Sequence, residues 1–233
     1  MDTLSNDNGI KWEINKGTPL VLTFAGMASR LNEFEHYEFV RTTKHVNCSK
    51  IYCLDKKYIY YQEGINAEIN SLSKMTEKLQ ELVAEAAPTN IRCLGVSAGG
   101  FASLFFGHQL KADVVHVFGA QTFLTTELED RYREPGMEAY DTLGDTRVGL
   151  DEAMRKNPEQ CVFDLEPVLK NGNGKTRYVL HVGQGCHKDS AAARHLENCP
   201  GVEVKRYACN THACASQMLQ CDGGLSSVVL EGI

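Results

Sequence analysis

The sequence predicts an α/β protein built on a mostly parallel sheet with helices on both faces, and three observations carry that expectation. Apolar runs rich in β-branched residues alternate with helical patterns along nearly all of the 233 residues, the order produced by a parallel sheet with crossover helices. The runs are near-continuously apolar rather than alternating, as strands covered on both faces require. Apolar residues make up 42% of the chain and charged residues 23%, and a chain of this length buries an adequate core without a disulfide or metal staple. A single domain over residues 1–233 is expected.

The elements follow in order. The start, MDTLSNDNGIKWEINKG, is polar and acidic where a secretory signal is basic and then apolar, so a cytosolic location is the expectation. Strands are expected over Pro19 to Ala25 and Lys50 to Leu54. From Ile65 to Ala87, residues Ile65, Ile69, Leu72, Met75, Leu79, Leu82 and Val83 recur at spacings of three and four, and Pro88 stands just beyond. That is the pattern of an amphipathic helix with a stop signal. A strand over Asn90 to Val96 leads to a helix that begins just after Ser97 and runs to about Leu110, followed by a strand over Asp113 to Phe118. Gln121 to Lys175 carries many charges, Pro135, Pro158 and the loop Asn171-Gly172-Asn173-Gly174. It reads as inserted helices and turns forming a small cap over a pocket, or as a long surface connection. Strands over Thr176 to Val182 and Val202 to Tyr207, and helices over Ser190 to about Glu197 and Ala213 to Leu219, complete the chain.

The motif that carries chemistry is Gly95-Val96-Ser97-Ala98-Gly99, a G-x-S-x-G element at the end of an apolar strand and the start of a helix. Composition alone predicts about 0.1 chance occurrences. A serine nucleophile on a tight strand-to-helix turn needs small flanking residues because backbone packs closely there. A structural glycine-rich turn is the plainer alternative. In this arrangement an acid and then a histidine follow the serine in the chain. Asp189, after the fifth expected strand, and His212, after the sixth, fit that order at the carboxyl ends of their strands, where reacting groups of an open sheet assemble. Glu127, Asp141 and Asp145 remain alternative acids, Asp189 could instead cap the helix that follows it, and His187 and His195 lie near Asp189. His108, His116 and His181 fall inside a helix or strands and read as packed residues. The oxyanion donors are expected to be the Ala98 amide and, from the loop Ala25-Gly26-Met27-Ala28, the Met27 amide. Gly26 and Phe123 are the candidates for substrate contact. Phe123, Tyr132, Tyr140 and Phe163 could equally line a pocket or pack the insertion.

These residues resemble the α/β-hydrolase superfamily from about Pro19 to Val229. The segment GVSAGGFASLFFGHQLKADVVHVFGAQTFL, with DSAAARHLENCPGVEV and THACASQMLQCDGGLSSVVL, resembles small bacterial α/β hydrolases with a serine–alanine–glycine–glycine elbow, a group often associated with capsule or cell-surface glycan genes. The resemblance implies a single-domain α/β-hydrolase fold with Ser97, Asp189 and His212 in the catalytic places. The chain departs from the pattern at Cys209-Asn210-Thr211-His212, where relatives often have glycines, and at Ala25, where many carry histidine. The activity implied is a serine hydrolase, of the esterase or thioesterase type, acting on a small-molecule acyl substrate without a cofactor. An acyltransferase or lyase using the same residues, or an idle binding protein, is the alternative.

Other chemistries find less support. The net charge is −6 and no basic stripe is present, so nucleic acid is not an expected partner. No apolar run reaches the roughly 20 residues of a membrane span. The nine cysteines lack the spacing of a small secreted scaffold and read mostly as reduced thiols. Cys209, His212, Cys214, Cys221 and the Cys186-His187 pair suggest zinc, but the short cysteine spacing occurs once and the histidine is already wanted elsewhere, so no metal is expected. The loop around Asn171 lacks the Lys-Ser/Thr of a phosphate cradle.

Overall fold

The computed structural model describes residues 4–27, 37–133, 135 and 146–233. Within them the chain forms eight strands, β1 (Ser5–Asp7), β2 (Ile10–Glu13), β3 (Leu20–Phe24), β4 (Ser49–Cys53), β5 (Ile91–Val96), β6 (Val114–Phe118), β7 (Arg177–Gly183) and β8 (Val202–Tyr207). They make one sheet in the order β1-β2-β4-β3-β5-β6-β7-β8. From β4 to β8 every pairing is parallel, whereas β1 and β2 form an antiparallel edge. The helices are α1 (Val40–Thr43), α2 (Leu72–Ala86), α3 (Ala98–Gln109), α4 (Thr126–Tyr132), α5 (Thr146–Lys156), α6 (Glu166–Leu169), α7 (His187–Leu196), α8 (Cys214–Cys221) and α9 (Leu225–Val229).

The two faces follow from the strand period of two. Leu20, Leu22 and Phe24 of β3 join Cys93, Val117 and Leu180 in the larger core, covered by apolar residues of α2, α3, α6 and α7. Val21, Leu94 and Phe118 point the other way and meet Ala215, Leu225 and Val229 from α8 and α9. α3 is buried along nearly its whole length, as expected of a helix apolar all round.

The structure differs from expectation in four places. The polar start is not merely a leader to β3: Asn8 and Gly9 take positive φ between Asp7 and Ile10, and Asn-Gly is the residue pair that a two-residue hairpin turn favours. α2 begins at Leu72, where the Ser71 hydroxyl accepts the Lys74 amide, and not at Ile65. Residues 64–71 instead form a compact loop in which the Ile65 amide donates to the Ile69 carbonyl; both isoleucines are buried, so tertiary burial and not a helix face explains their spacing. α7 starts at His187 with Cys186 as its cap residue, placing Asp189 inside the first turn instead of before it. α9 adds a final helix beyond the expected one.

Between β6 and β7 the chain carries α4, α5, a 3₁₀ turn at Pro158–Gln160 and α6. Phe123, near the start of this connection, is bridged to Asp164, just before α6. Tyr140, Asp141 and Asp145 lie outside the described residues.

Candidate active site

Ser97 sits between β5 and α3 with φ 55° and ψ −120°. A non-glycine residue there costs about 1–3 kcal/mol and persists only where its surroundings over-determine it. They do so here. The Ser97 amide donates to the Phe118 carbonyl and its own carbonyl accepts from Gly100. A Cβ on Gly95 would collide with the Gly99 carbonyl, and one on Gly99 with the Phe24 carbonyl. The glycines of the motif therefore let α3 start directly against β3 and β5.

The three residues singled out by chain order meet at this edge. Ser97 Oγ lies 2.9 Å from His212 Nε2, and His212 Nδ1 lies 2.6 Å from Asp189 Oδ1. Asp189 is 1% exposed, and its second oxygen accepts the Ala213 amide at 2.8 Å. A carboxylate accepts hydrogen bonds only, so Nδ1 carries the ring proton and Nε2 is left to face the serine hydroxyl. Of the alternative acids, Glu127 pairs with Arg131 at 3.2 Å on α4. His195 lies at the other end of α7 against Thr122 and Asp164.

No protein-family model matches the chain, and no curated protein matches it. Solved structures do. The capsule O-acetyltransferase of Neisseria meningitidis serogroup A is similar over 96% of this chain and 94% of its own, with a TM-score of 0.62 and 15% identity. MGS-MChE2, an α/β-hydrolase enzyme from a lagoon-sediment metagenome of Mar Chica, Morocco, is similar over 95% and 96%, with a TM-score of 0.55 and 16% identity. MenH from S. aureus is similar over 96% and 97%, with a TM-score of 0.57 and 13% identity. The chain has the α/β-hydrolase fold. At these identities the likeness is one of fold.

On this α/β-hydrolase sheet the loop after β3 runs beside the elbow. A Cβ on Gly26 would lie 2.6 Å from the Val96 carbonyl and 3.5 Å from Ser97 Cβ, so the backbone there passes in contact with the turn. The Ala25 amide donates to Cys53, and the Ala25 carbonyl accepts the Tyr61 hydroxyl at 3.0 Å. Glu38 accepts the Gly26 amide; burial, partly offset by that bond, raises its carboxyl to about 7. Ala98 is the buried first residue of α3, and Met27 is half-buried against the larger core. Phe123 is buried with its ring against Tyr132 and His195.

Three polar residues escaped the sequence reading. The Gln121 side-chain amide lies 3.3 Å from Ser97 Oγ; its position just after β6, on the edge that bears Ser97, was the available signal. Glu38 and Tyr61 support the loop after β3, and nothing in their sequence context marks that role. The cysteine–histidine cluster also resolves differently from a zinc site, since Cys209 and Cys214 form a disulfide around His212 and the other seven cysteines are free.

Proposed function

We propose that the protein is a serine-dependent acyl-transfer enzyme that cleaves a carboxylic ester or thioester through an acyl-enzyme on Ser97. The observation that carries this reading is the continuous contact from Ser97 Oγ through the His212 ring to the buried Asp189 carboxylate. His212 Nε2 takes the hydroxyl proton as Oγ attacks the acyl carbonyl, and Asp189 orients the ring and stabilises the imidazolium. The Ala98 and Met27 amides are assigned to the developing oxyanion. His212 then returns the proton to the leaving group, and water attacks the acyl-enzyme with His212 again as base.

Transfer of the acyl group to an alcohol in place of water is the second reading. The fold likeness to a capsule O-acetyltransferase favours it. Product analysis with and without acceptor alcohols separates the two.

Ser97→Ala is expected to abolish covalent labelling by a fluorophosphonate probe while leaving far-UV circular dichroism unchanged. Labelling of the variant at the parent's rate would refute the assignment of the nucleophile.

A further inference from the structure

Away from the serine, at the opposite end of α7, a second group of side chains is assembled. Among the described residues, Asp164, Glu166 and His195 form a cluster whose ligand atoms all lie within 4.8 Å of one another. Its elements are independently anchored. Asp164 is bridged to Phe123, the Leu165 amide donates to Thr122, and the His195 ring is held edge-on by Phe123 and Tyr132 at centroid distances of 5.2 and 5.1 Å.

The hydrogen bonds define which ring nitrogen is bare. Thr122 Oγ1 donates its single proton to the Ala192 carbonyl at 2.8 Å, so it accepts the bond that joins it to His195 Nδ1 at 3.0 Å. Nδ1 therefore bears the proton, and the neutral ring presents a lone pair at Nε2. That atom is fully buried and lies 2.9 Å from Asp164 Oδ1, and against the cost of burial this contact helps hold the Asp164 carboxyl below its ordinary value. Asp164 Oδ1 also accepts the Glu166 amide at 2.9 Å. A lone pair facing a carboxylate oxygen at this distance is repulsive unless positive charge stands between them. A second ring proton would supply one charge against two carboxylates; a divalent ion would neutralise both.

We propose that Asp164, Glu166 and His195 bind a divalent transition-metal ion of the zinc type. One imidazole and two carboxylates match the ligands such an ion takes, whereas calcium and magnesium prefer oxygen alone. An Nδ1–H donated to a neighbouring oxygen is the usual outer partner of a metal-bound histidine, fixing its tautomer and orientation. Tetrahedral bonds of about 2.0–2.1 Å separate donors by roughly 3.3 Å, so Nε2 and Oδ1 move apart by a few tenths of an ångström on binding. Beside the cluster opens a cleft of about 460 Å³, lined in part by Tyr132, Glu166, Lys170 and Arg194, that leaves the remaining coordination positions to water. The ion's place is structural: it ties the β6–β7 connection to the helix that carries Asp189.

The test uses the full chain stripped with a chelator and titrated with zinc by calorimetry, with cobalt as a spectroscopic substitute. One equivalent is expected to bind, to raise Tm by several degrees, and to give visible cobalt absorption bands. These signals should persist in His212→Ala, which removes the other candidate histidine, and affinity should fall at least tenfold in Asp164→Asn and Glu166→Gln. Glu166 is half-buried, so its variant decides the matter if Asp164→Asn does not fold. Absence of binding by the folded parent, binding unchanged in Glu166→Gln, or binding lost in His212→Ala would each overturn the proposal.

Discussion

Burial, with one carboxyl oxygen left without a partner, raises the Glu38 carboxyl, and the Gly26 amide donated to the other oxygen offsets only part of the rise. Its folded-state pKa of about 7 lies above the ordinary value of 4.5. A raised value means that the folded state holds the proton more tightly, so the associated stability is complete below about 4.5 and is lost as pH rises through about 7. The full shift corresponds to about 3 kcal/mol. Glu38→Gln retains an acceptor for Gly26 without the charge, so its Tm should gain on the parent between pH 5 and pH 8. A gap that stays constant across that range would place the carboxyl in water. Because Glu38 holds the loop assigned to the oxyanion, the same variant reports whether that loop needs a proton or a charge beside it.

Two short elements fix the geometry around the serine. The first is the elbow, where close approach leaves no room for side chains: Gly99→Ala puts a methyl group into the Phe24 carbonyl. We expect a loss of about 3 kcal/mol or more, visible as a large drop in the urea midpoint or in soluble yield. The second is the loop Cys209–Cys214, which holds His212 between its disulfide-linked ends. Closing so short a loop contributes about 2 kcal/mol through the unfolded chain. The Cys209→Ser/Cys214→Ser protein should therefore melt earlier and label with a fluorophosphonate about tenfold more slowly, since a loosened base is misplaced for attack. An unchanged labelling rate would mean that the Asp189 contacts to His212 and Ala213 hold the base unaided.

At the scale of the whole molecule, the sheet buries a titratable pair in its smaller core side. His116 Nδ1 and His181 Nε2 are 3.0 Å apart, and His181 Nδ1 meets the Tyr207 hydroxyl at 2.7 Å. Burial first, and then nearby positive charge, pushes both histidines well below their ordinary range. A depressed pKa gives stability that is complete above the unfolded value of about 6.5 and lost as pH falls below it. The urea midpoint should decline from pH 7 to pH 5, and His116→Leu should flatten that decline. An equal slope in the variant would assign acid lability elsewhere. No helix among the described residues is long and apolar enough to cross a membrane.

The parallel strands β3 to β7 were legible because each is a largely apolar run buried on both faces, and α3 because it follows Ser97 directly; β8, at the sheet edge, is only half-buried and shows alternating apolar and charged residues. The β1–β2 edge was overlooked: its strands are short and polar, and their signal lay in the Asn8-Gly9 turn. Ile65 and Ile69 misled because periodicity registers burial, whatever backbone achieves it. For the candidate site, the Gly95–Gly99 motif brought Ser97 into consideration, and chain order after it brought Asp189 and His212. Gln121, Glu38, Tyr61 and the Cys209–Cys214 bond depend on which loops meet at the sheet edge, as does the neighbourhood of His195. What the sequence by itself determined is the sheet, its crossovers and the strained serine turn, since those rest on local pattern and on glycines that a short stretch reveals. Only the tertiary structure decided the partners of each polar group, because hydrogen bonds between residues a hundred positions apart leave no periodic trace in the chain.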